Sequence, residues 1–181
     1  SSPYALLDIS DGCKVLKKWL PAAGWWFQYV GKSVNNKYVA LVTTDGVQAA
    51  GYRFDNDRAK IGLVDVDKRE FRWVADLNGH GASTVRRVVA TGDGRYIAVA
   101  GWNNGTAMID AKEAKVLWSK RPEEEISTGH AAFAHDGKFI YTAGSEGCVY
   151  GIDVQTGRVV CVNDGRQGQG SPSTHIAFPH W

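Results

Sequence analysis

Five histidines, His80, His130, His135, His175 and His180, are the side chains in this sequence best suited to metal ligation or general-base chemistry. Two of them sit in matching contexts: His130 opens "HAAFAHD" and His175 opens "HIAFPHW". Held in the same local structure, they could converge on one site from neighbouring units. The plainer reading is a polar group that caps a strand end. Carboxylates form a second set. Asp8, Asp65, Asp110 and Asp153 each follow an aliphatic residue, in "LLD", "LVD", "MID" and "GID". One carboxylate recurring at one place points to the bonding of turn amides, not to catalysis. Asp55-Asn56-Asp57 offers oxygen ligands but lacks the continuation of a calcium loop. The three cysteines, Cys13, Cys148 and Cys161, contain no CxxC pair. Three is an odd number for a closed disulfide framework, so free thiols are expected, although Cys148 and Cys161 could lie near enough to bridge. No nucleophile elbow, HExxH or Walker sequence occurs. No cofactor is expected.

The elements that would position these residues emerge from an internal repeat. Asp93 in "TGDGRY" and Asp136 in "AHDGKF" mark equivalent turns, and Asp110 and Asp153 follow them at one and the same interval. Asn35 in "SVNNKY" takes the same turn position in an earlier unit. The steps from Asp8 to Asn35, from Asp65 to Asp93 and from Asp110 to Asp136 are nearly equal. Each unit accommodates four short strands, designated a to d. In the best-defined unit they span about 131–134, 139–143, 148–152 and 158–162. Asp136-Gly137 and Gln155-Thr156-Gly157 supply tight-turn chemistry, because glycine accepts positive φ and Asp bonds its own backbone. "KFIYTA" is apolar on both faces, as suits a sheet covered on both sides. Trp73, Trp118 and Cys161 hold matching places beyond Asp65, Asp110 and Asp153, and read as packing residues.

Four-stranded antiparallel units with a period of about 43 to 45 residues define an all-β chain of β-propeller blades. The stretch "HAAFAHDGKFIYTAGSEGCVYGIDVQTGRVV" resembles a blade of the YVTN and WD-repeat propeller group, which includes quinoprotein-like propellers. The resemblance rests on the turn Asp136-Gly137-Lys138 and on Ile152-Asp153 through Thr156-Gly157-Arg158. No Trp-Asp pair closes any c strand, so the WD-repeat hydrogen-bond network is not carried over. The expected division is residues 1–20 for strands c and d of a first blade, then blades at 25–76, 85–120 and 130–163. Residues 174–181 supply the first strand of a further blade. That is about four blades' worth of chain with one strand b lacking. It suggests part of a larger propeller, completed by another chain or by sequence not present here. Such propellers host unrelated activities. The resemblance implies a non-catalytic interaction scaffold. The alternative it implies is an enzyme, lactonase-like or a quinoprotein or haem oxidoreductase, with a site near the central channel.

Bulk properties narrow the partners. With 21 basic and 19 acidic residues the net charge is +2, which provides no field for nucleic acid. No apolar run approaches the ~20 residues needed to cross a bilayer. The opening "SSPYALLDISDG" does not read as a signal peptide, and the cysteine count fits a reduced compartment, so a cytoplasmic protein is the expectation. A protein partner is the expected ligand.

One feature breaks the repeat. The step from Asn35 to Asp65 is far longer than those from Asp93 to Asp110 and from Asp136 to Asp153. The excess lies in the b–c connection "DGVQAAGYRFDNDRAK". An antiparallel meander puts the b–c and d–a connections on one face and the a–b and c–d turns on the other. Loops that depart from a rigid repeat are where binding residues concentrate. The expected binding face therefore carries Tyr52, Arg53, Phe54, Asp55, Asp57, Trp102, His130 and His175. Lys37 and Arg95 lie on the opposite face, where replacement should change little.

Overall fold

The computed structural model describes residues 4–8, 10–20, 25–33, 35–45, 59–77, 85–101, 105–120, 128–144 and 148–164. All regular structure among them is β-strand. Strands β1 (Tyr4–Asp8) and β2 (Lys14–Trp19) form an antiparallel pair. Three four-stranded sheets follow: β3 (Trp25–Lys32), β4 (Tyr38–Asp45), β5 (Ala59–Asp65) and β6 (Glu70–Asp76); β7 (Val85–Ala90), β8 (Tyr96–Gly101), β9 (Gly105–Asp110) and β10 (Lys115–Lys120); β11 (Thr128–Phe133), β12 (Phe139–Gly144), β13 (Cys148–Asp153) and β14 (Val159–Asp164). Each is a meander in chain order, with every neighbouring pair antiparallel. The segment "KEAKVLWSK", which has some helical character, is strand β10 and its preceding turn.

The a–b turns share one geometry. Gly94 N–H donates to Thr91 C=O at 3.0 Å, and Thr91 N–H to Tyr96 C=O at 2.9 Å. The same two bonds recur at Ser33, Asn36 and Tyr38, and at Ala134, Gly137 and Phe139. This is a short hairpin loop with one left-handed residue. The φ values there are 60° at Asn36, 69° at Gly94 and 68° at Gly137. Asn replaces Gly at the first because its short polar side chain tolerates that region. Strand a also carries a bulge in each sheet, between Phe27 and Tyr29, between Val85 and Arg87, and between Thr128 and His130. The extra residues are Gln28, Arg86 and Gly129, which stand at one position relative to the turn Asn or Asp. Bulges of this kind increase strand twist.

The core lies between sheets. Ala40, Ile61, Leu63 and Val74 of one sheet pack on Val88, Ile97, Val99 and Ile109 of the next. On the other face of that second sheet, Tyr96, Ala98, Ala100 and Met108 pack on Ala131, Phe133, Ile140 and Ile152. Strand β8 thus gives alternate residues to two different cores, which is why apolar residues occupy both of its faces. The a strands converge. Ser33 and Ala90 form a parallel bridge between the end of β3 and β7. The approach is closest at Gly31, where an added Cβ would sit 1.5 Å from the Val88 carbonyl oxygen. Only glycine fits there, and the reason is proximity, since no positive φ is involved.

Two sequence readings change. Trp73 is not a buried packing residue: 44% of it is exposed, and its ring meets Phe71 edge-on at 4.8 Å between centroids. Cys148 and Cys161 do lie on neighbouring strands, but the register pairs Cys148 with Asp164 and Cys161 with Gly151. A three-place offset along a strand is about 10 Å, beyond the ~7 Å limit on Cα separation for a disulfide. Cys13, in the turn after β1, is an exposed free thiol.

Candidate functional site

At one end of the sheets lie the a–b and c–d turns, and the recurring acids serve them. Asp8 Oδ1 accepts from the Ser10 amide at 3.0 Å and its hydroxyl at 2.6 Å. Asp65 Oδ1 accepts from the Lys68 amide, and Asp110 Oδ1 from the amides of Lys112 and Glu113. Asp153 Oδ1 accepts from the amides of Gln155 and Thr156 and from the Thr156 hydroxyl. Each caps a turn and leaves no carboxylate poised for proton transfer. Three of the acids are more acidic than usual as a result. The Ser10 hydroxyl and amide lower the pKa of Asp8, the Lys68 amide lowers that of Asp65, and the Thr156 amide and hydroxyl lower that of Asp153.

The a–b turns use the same device. Asn35, Asp93 and Asp136 accept from the amides of Lys37, Arg95 and Lys138. The Ser33 and Thr91 hydroxyls donate to the first two. At Asp93 burial opposes ionisation, but the Thr91 hydroxyl and the Arg95 amide outweigh it and the pKa falls. Arg95 does more than occupy the surface. Its Nε lies 3.6 Å from Oδ2 of the buried Asp110, and its guanidinium sits over the Tyr96 ring. Replacement of Arg95 is therefore not neutral, contrary to the sequence expectation. Lys138, exposed and 3.9 Å from Asp136, is the better control.

This end also clasps one sheet to the next. Arg72 Nη1 donates to the Ala111 carbonyl at 2.6 Å, and Trp118 Nε1 to the Val154 carbonyl at 2.8 Å. In both cases a side chain of strand d reaches the residue just after the next unit's Asp. Asn35 Nδ2 donates to the Gly92 carbonyl, and Gln155 Nε2 to the Tyr96 hydroxyl. Sequence reasoning missed these clasps, because Arg72 and Trp118 differ in type and are offset by one place. A cleft of about 600 Å³ also opens at this end. Lys17, Trp19, Tyr38, Arg69 and Asp93 are among its walls. Of its three acids, Asp65, Glu70 and Asp93, the first and last are committed to turn amides.

The opposite end receives the b–c and d–a connections. Strand β4 stops at Asp45 and β5 begins at Ala59; β6 stops at Asp76, and β7 begins at Val85. Tyr52, Arg53, Phe54, Asp55, Asp57, Trp102 and His175 lie outside the described residues. His130 is in β11, where the register places it opposite Ala143. His135 sits exposed in its a–b turn. Among the described residues no group of three or more His, Cys, Asp or Glu side chains gathers as a metal site. No helix among them is long and apolar enough to cross a membrane.

Repeated four-stranded meanders that pack face to face, with their a strands converging, define a β-propeller. By sequence the chain matches no protein-family model and no curated protein. By structure it is similar to the solved Dos1 propeller, with a TM-score of 0.63 and 13% identity over 87% of this chain. The chain spans 38% of that propeller's length.

Proposed function

We propose that this propeller is a non-catalytic interaction scaffold that takes a protein partner on the face of its b–c and d–a connections. The observation that carries the reading is the asymmetry between the two ends. The tight-turn end is occupied by its own bonds: the capping acids, and the clasps Arg72–Ala111, Trp118–Val154, Asn35–Gly92 and Gln155–Tyr96. The large differences in length lie in the b–c and d–a connections of the other end, where a rigid frame would present them. Tyr52 and Arg53 in the long 46–58 connection supply aromatic and guanidinium groups of the kind that dominate interaction hot spots. Trp102 and His130 extend the same face, and His175 joins them from the next blade. The finer resemblance to the YVTN and WD-repeat group belongs to this proposal too, as does a cytoplasmic location.

The test is the double variant Tyr52→Ala, Arg53→Ala against the control Lys37→Ala, Lys138→Ala. The first should weaken partner binding at least tenfold, about 1.4 kcal/mol. Its melting temperature should stay within a few degrees of the parent. Unchanged affinity, or a loss that appears only with unfolding, would sink the assignment.

A further inference from the structure

We draw no further inference here: the strongest candidate, the cleft of about 600 Å³ beside the tight turns, takes its Lys17 and Trp19 walls from β2 of the two-stranded sheet, and nothing in the structure shows what covers it.

Discussion

Gly31→Ala tests the convergence of the a strands at its tightest point. The new Cβ would lie 1.5 Å from the Val88 carbonyl oxygen and 2.6 Å from its carbonyl carbon. Ordinary contact begins near 3.4 Å, so β3 and β7 must part substantially at this point. No rotamer change relieves the clash, because both atoms belong to the backbone. Parting the strands would strain the Ser33–Ala90 bridge and loosen the cluster of Ala40, Val88 and Ala90. Overpacking typically costs ~1–3 kcal/mol, and a backbone clash of this depth belongs at or above the upper end. For a chain of this size each kcal/mol lowers Tm by about 2–4 °C, so a fall of about 6–12 °C is expected. Thermal unfolding followed by circular dichroism reads it. Gly92→Ala is the control: its Cβ would meet only the Asn35 side-chain amide, at 3.2 Å, and Tm should move by less than about 3 °C. A Gly31→Ala protein that melts with the parent would refute the packing of β3 against β7.

The turns supply further tests. Gly157→Ala combines φ of 67° with a Cβ only 2.8 Å from the Trp118 ring, and should cost about 1–2 kcal/mol by urea denaturation. Ala114→Gly, at the equivalent turn position with φ of 51°, should leave stability level or raise it by up to about 1 kcal/mol. Asn35→Asp keeps the acceptor for Lys37 N–H but loses the donor to the Gly92 carbonyl, a loss of about 1 kcal/mol that the urea midpoint would show. The lowered pKa values of Asp8, Asp65 and Asp153 stabilise the fold above the ordinary value of 3.8. That contribution disappears as pH falls through the lower folded values, because the unfolded chain then binds more protons. Urea midpoints should therefore be level in this respect from pH 7 to 5 and decline below about pH 4. Asp153→Asn should show a shallower acid decline.

The strands and turns were legible because they repeat. Asp93-Gly94 and Asp136-Gly137 announced hairpins, and the aliphatic-Asp steps at Asp110 and Asp153 fixed strand c. The bulges were not legible, since Gln28, Arg86 and Gly129 share a position but no chemistry. The left-handed residue of the c–d turn was visible at Gly12 and Gly157. Arg69 and Ala114 adopt the same conformation without any sequence sign, held by the Asp that caps the turn. The clasps were hidden for a related reason. A carbonyl such as that of Ala111 or Val154 is present at every residue, so only the donor could have been noticed. Arg95 illustrates the converse: its sequence context suggested surface, whereas its contact is with the buried carboxylate of Asp110, which the register of β8 and β9 brings beside it. For the partner face the sequence offers the excess length before Asp65 and the residues Tyr52, Arg53 and Phe54 within it.

The most direct test of the scaffold account is a photocrosslinking comparison of the two faces. A photoreactive phenylalanine is placed singly at Tyr52 and Trp102, in the connections proposed to bind, and at Lys37 and Lys138, in the a–b turns. Each protein is irradiated in extract, and the crosslinked partner is identified and then confirmed by titration with purified components. The account predicts one partner, captured from Tyr52 and Trp102 and competed away by unlabelled propeller, with little captured from Lys37 or Lys138. Capture of that partner from Lys37 and Lys138 instead, with none from Tyr52 or Trp102, would contradict it.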